Sequence, residues 1–150
     1  MAELKKEEKK MAELNRELRS YITQIETLRV NISNIDSLVA EYRTTITTLQ
    51  NLRDLGKDKE ILLPVGRIAQ VNAKLEDVNR VIVNIGSNIS VELTFDEAVK
   101  QIEKEIASLL LLRQALEKAM VDLYGKVEEL TQRIREHGRE EAEEKSKSRK

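Results

Sequence analysis

Twelve positions of the first third of the chain repeat every 3.5 residues, and every one of them is apolar. Position a holds Met11, Leu18, Ile25, Ile32, Val39 and Ile46; position d holds Leu14, Tyr21, Leu28, Ile35, Tyr42 and Leu49. A stripe sustained this long specifies a coiled-coil seam, because only a facing helix can cover so narrow and regular a strip. No Gly or Pro breaks the chain before Gly56. One helix is therefore predicted over residues 2–55, roughly 80 Å long at about 1.5 Å per residue. Gly56 supplies the stop and residues 57–60 (KDKE) the loop beyond it.

A second heptad run answers the first. Thr94-Phe-Asp-Glu97 has the capping-box form, in which hydroxyl and carboxylate each take an orphan amide. The seam then reads Val99, Ile106, Arg113, Met120, Val127 and Ile134 at a, with Ile102, Leu109, Leu116, Leu123, Leu130 and His137 at d. Arg113 and His137 alone are not apolar; Arg113 is read as a register device that reaches Asp36. Gly138 is expected to end this arm, leaving 95–137 helical and 138–150 (GREEAEEKSKSRK) as a charged, disordered tail. Neither arm can expose its stripe to water. Folded back antiparallel, they bring together residues whose numbers sum to about 150.

Between the arms, residues 60–93 lose the helical rhythm and hold the sole Pro and two of the five Gly. Four short strands are predicted: 61–65, 68–75, 80–85 and 89–93, with reversals at Gly66 and at Gly86-Ser87-Asn88. Two hairpins make a sheet too small to hide both faces, with bare edges, so the segment calls for copies of itself from other chains. The residues assigned to that assembly are Ile61, Leu63, Val65, Ile68, Val71, Ala73, Leu75, Val81, Val83, Ile85, Ile89, Val91 and Leu93. The whole is a mainly α fold with a small β module: one domain over 1–137, a long antiparallel coiled-coil hairpin carrying two β-hairpins at its joint.

Composition agrees and narrows the function. Charged residues make up 35% of the chain and aromatics 3%, which suits elongated helices better than a bulky core. The net charge of −1, with basic residues interleaved with Glu, argues against nucleic acid or an acidic membrane surface as partner. The densest apolar run, Ile106–Leu112, is too short to span a bilayer, and Met1 is followed by AELKKEEKK rather than a signal-peptide core. Zero Cys removes thiol chemistry and fits a reducing compartment. His137 with Glu136 and Glu140 lacks the fixed geometry of a metal site. Glu76-Asp77 sits on a turn without a pocket, and Gly66 and Gly86 match no phosphate loop. No catalytic, cofactor or metal residue is assigned, and an enzyme is not expected.

The helix–two-hairpins–helix order, with LLPVG at 62–66 and VIVNIG at 81–86, resembles the alpha-type subunits of prefoldin over roughly 20–137. Gly66-Arg67-Ile68-Ala69-Gln70 stands where those subunits usually carry a Gly-rich bend. With the return strand Ile89–Leu93, this is closer to the divergent filament-forming archaeal branch. The resemblance implies a cytoplasmic, ATP-independent holdase subunit without cofactor. Its partners would be non-native proteins, a group II chaperonin, and further copies or beta-type subunits, in a hexamer or a filament. Clients would be held at the coiled-coil tips, here Leu4, Met11, Leu14, Leu18, Leu130 and Ile134. The competing reading is a structural protein that builds filaments through its hairpin joints.

Overall fold

A computed structural model describes residues 1–149. The order is α1 (Ala2–Leu55), β1 (Glu60–Pro64), β2 (Gln70–Lys74), β3 (Val81–Gly86), β4 (Ile89–Leu93) and α2 (Phe95–Ser148). Two long helices thus bracket two β-hairpins, as the periodicities require. All twelve seam positions of α1 and all twelve of α2 are buried or half-buried, Arg113 and His137 included. The stripe on α1 coexists with six threonines, Thr23, Thr27, Thr44, Thr45, Thr47 and Thr48. Each donates its hydroxyl to the carbonyl four residues back, a bond that lets a β-branched polar side chain sit in a helix.

The chain forms two compact units. The first comprises Met1–Ile35 and the part of α2 from Leu112 onward. Its helical segments run antiparallel. Arg29 donates to the Tyr124 hydroxyl at 2.7 Å, and the Lys126 ammonium stands 5.5 Å from the centre of the Tyr21 ring. Gln24, Thr27 and Leu28 line one shallow groove together with Asp122, Leu123 and Lys126. These neighbours agree with the sum of about 150 expected for an antiparallel hairpin. Ile25, Ile35 and Leu130 are its buried side chains.

The second unit, Asp36–Leu111, contains both hairpins. Its buried residues are Val39, Phe95, Ala98, Ile102 and Ile106. Gly56, at φ 93°, adopts the left-handed conformation that ends α1, its amide returning to the Leu52 carbonyl at 3.2 Å. Arg53, in the last turn of α1, lies 4.0 Å over the Phe95 ring and 4.0 Å from the Asp96 carboxylate. The cation thus grips the start of α2 by its ring and its charge. The capping box forms as read: the Thr94 amide donates to Glu97 at 3.1 Å and the Glu97 amide to the Thr94 hydroxyl at 3.3 Å. Asn79 adds a third cap, accepting the Phe95 amide at 3.1 Å. Replacing Thr94 by Ala is expected to cost ~1 kcal/mol of stability, read from denaturant unfolding. The larger loss expected if Thr94 acted alone is tempered by Asn79.

The end of α2 corrects one expectation. The helix does not stop at Gly138 but runs through it to Ser148. Gly138 does not have the positive φ of a helix-ending glycine, so it is not a left-handed cap. A helix-interior Gly costs about 1 kcal/mol relative to Ala, which the flanking Arg, Glu, Ala and Lys residues offset through propensity and i,i+4 pairs. One such contact is His137 to Glu141, at 3.8 Å. Arg113 likewise hydrogen-bonds Glu117 one turn on.

Candidate assembly and client-binding surfaces

Each hairpin is a separate two-stranded antiparallel sheet. In the first, Ile61 pairs with Ala73 and Leu63 with Val71 on one face, while Leu62 pairs with Asn72 on the other. The loop between them closes when the Val65 amide donates to the Ala69 carbonyl at 3.0 Å, with Gly66 at φ 133°. That closure confines β2 to Gln70–Lys74 and leaves Ile68 on the loop, 100% exposed. In the second hairpin, Val81 pairs with Leu93 and Val83 with Val91 on one face; Ile82 pairs with Glu92 on the other. Ser87 (φ 49°) and Asn88 (φ 61°) make a type I′ reversal, whose twist matches that of the strands. A bulge at Asn84–Gly86 precedes it, and the Asn84 side chain accepts the Gly86 amide at 2.9 Å.

The thirteen residues assigned to assembly fall into two groups. Ile61, Ala73, Leu75, Val81, Val83, Val91 and Leu93 are half-buried within their own chain. Leu63, Val65, Ile68, Val71, Ile85 and Ile89 are exposed, and so are Leu62 and Ile82, which strand alternation had placed on the other face. The division has a cause. The inner face of β3 looks toward the helices of its unit: Val81, Val83 and Ile85 share a groove with Tyr42, Leu49 and Ile102. Ile82, on the other face by strand alternation, also borders that groove and is 74% exposed. Beside it, Arg80 is ion-paired to Glu92, whose bond holds the guanidinium above its usual range. Eight large apolar side chains on the two hairpins and their loops thus remain exposed, more than a folded chain leaves without use.

The six residues assigned to clients all lie in the first unit, and they differ in access. Leu4 is exposed. Met11, Leu14, Leu18 and Ile134 are half-buried in the seam. Leu130 is only 4% exposed and belongs to the core of that unit. Near that end of the seam the His137 Nε2 is buried without a hydrogen-bond partner. Among the described residues, no group of three or more His, Asp or Glu side chains is placed to hold a metal ion, and no helix is long and apolar enough to cross a membrane.

Comparison with known proteins places these surfaces in context. The profile of the prefoldin subunit family matches residues 21–140. A prefoldin alpha subunit of Aquifex aeolicus is 52% identical over 147 residues, covering 95% of this chain and 99% of that one. The prefoldin alpha 2 subunit of Methanocaldococcus jannaschii is 44% identical over 129 residues, covering 86% and 88%. Among solved structures, filamentous prefoldin from Methanocaldococcus jannaschii superposes with a TM-score of 0.71 at 47% identity, over 76% of this chain and 94% of that one.

Proposed function

The chain belongs to the prefoldin family of non-enzymatic chaperone subunits, and on that footing we propose that it works as an ATP-independent holdase in the cytoplasm. Copies assemble through the hairpins. The helix ends farthest from the hairpins in sequence hold non-native proteins and release them to a group II chaperonin. The observation that carries this reading is the separation of two kinds of apolar surface. The hairpins leave eight large apolar side chains exposed, as an assembly surface must. The terminal segments keep theirs half-covered in a seam, where each contact with a client is weak and several copies add by effective concentration. Long Lys stems and Met11 beside that seam suit loose, unselective contact.

The test is suppression of aggregation of a chemically denatured client. Excess full chain is expected to suppress it. A chain lacking residues 1–18 and 131–150 is expected to lose that effect at unchanged particle size. Unchanged aggregation in the presence of excess assembled full chain contradicts the proposal. A second reading, a scaffold that builds filaments through the hairpins, is favoured by the likeness to the filamentous archaeal structure. Fibres in negative stain with no effect on the client would select it.

A further inference from the structure

The second unit presents a protrusion and a hollow of matching chemistry. The protrusion is the loop of the first hairpin, Val65-Gly66-Arg67-Ile68-Ala69, closed by the bond from the Val65 amide to the Ala69 carbonyl. Its large apolar side chains stand in water, Val65 at 56% and Ile68 at 100% exposure. Arg67 is the one charged residue of the loop and is exposed. The hollow is the groove between β3 and the helices of the same unit, about 660 Å³ in volume. Tyr42, Leu49, Val81, Val83, Ile85 and Ile102 give it apolar walls, and Glu105 is the only charged residue lining it. The Gln101 amide donates to the Glu105 carboxylate at 3.3 Å and steadies it.

We propose that this groove receives the first-hairpin loop of a second copy of the chain, with Ile68 between the apolar walls and Arg67 against Glu105. The inference rests on the reading that copies assemble through their hairpins, and gives that assembly one specific contact.

Three observations choose this occupant. The loop carries a single cation and the groove a single anion, and a guanidinium forks readily onto a carboxylate. Of the eight large apolar side chains that the hairpins leave exposed, Val65 and Ile68 lie on the loop, while Ile82 and Ile85 border the groove. One contact therefore covers four of them. The closing bond and Gly66 at φ 133° fix the loop backbone before it meets a partner, so docking orders little more than side chains. The reversal of the second hairpin, Gly86-Ser87-Asn88, has neither a charge nor a large apolar residue and cannot take the loop's place. Loop and groove are unlike patches, so a copy can give its loop to one neighbour and take the loop of another.

Charge exchange tests the contact. In full-length Arg67→Glu, copies set carboxylate against carboxylate; in full-length Glu105→Arg, cation against cation. Each variant alone is expected to need at least about a tenfold higher concentration than the parent to assemble, read by sedimentation velocity. Mixed in equal amounts, the two restore opposite charges at every contact between unlike copies, and assembly is expected to return to the parent's range. Both positions are exposed, and unchanged circular dichroism verifies that the variants fold. Single variants that assemble like the parent overturn the proposal and leave hairpin assembly standing; if they also hold less denatured client, the groove belongs to clients. A loss that mixing does not restore overturns it too, because the two charges then do not meet. A parent that keeps the mass of one chain removes both the contact and the reading beneath it.

Discussion

A chain carrying Ile68→Lys and Ile82→Lys is expected to stay folded and to stop assembling. These are the most exposed large apolar residues of the first and second hairpin. Neither supports its own chain: Ile68 sits on a loop and Ile82 on the outward face of β3, across from Glu92. Lysine at position 82 gains a carboxylate neighbour, so the hairpin loses no local stability. In an assembly the balance reverses. Burying an isoleucine fully contributes about 1.5–3 kcal/mol. Removing two such contacts and desolvating two ammonium groups weakens association by at least ~3 kcal/mol, over about a hundredfold. Lysine on a strand edge is also a device by which natural sheets resist edge-to-edge pairing. Sedimentation at matched concentration reads the outcome as a shift to lower mass with unchanged circular dichroism. A particle of unchanged mass would place the assembly surface elsewhere.

The other large effect concerns the seam. Ile25 occupies an a position and is buried against the facing segment of α2 in the first unit. Truncation to Ala is expected to cost about 2–5 kcal/mol, the lost transfer energy plus a cavity that two stiff helices cannot collapse. For a chain of this size that lowers the melting temperature by roughly 4–20 °C. Val30→Ala, on the exposed side of the same helix, serves as the comparison. It is expected to stay within about 0.5 kcal/mol of the parent, since no packing is lost. Thermal unfolding followed at 222 nm checks both. Equal effects at the two sites would mean that the heptad stripe is not the core.

The helices were readable because one rule governs them. A seam residue must be apolar every 3.5 positions, and Met11 through Ile134 obey it with Arg113 as the exception. The strands were readable from alternation, but their faces were not. Ile61-Leu62-Leu63 and Val81-Ile82-Val83 are apolar on both faces, so period two cannot say which side is covered. Leu62 and Ile82 are exposed although alternation sets them on the face opposite the assigned residues, and the unbroken apolar runs are the sign that both faces seek burial. Ile68 was placed in a strand because its apolar character fits one. The Val65–Ala69 closure and the positive φ of Gly66, which only the backbone discloses, put it on the loop. Gly138 misled in the opposite sense: a glycine reads as a stop only where the chain needs a left-handed residue, and here it does not. Leu130 lies near the chain end in sequence, yet it is buried, so nearness to a terminus does not by itself predict access.

The proposed function rests on hairpins that hold copies together through apolar surface left exposed by their own chain. Sedimentation velocity of the unmodified full chain at micromolar concentration tests that most directly. The account expects a species several times the mass of one chain, and a single sharp boundary at the mass of one chain would contradict it.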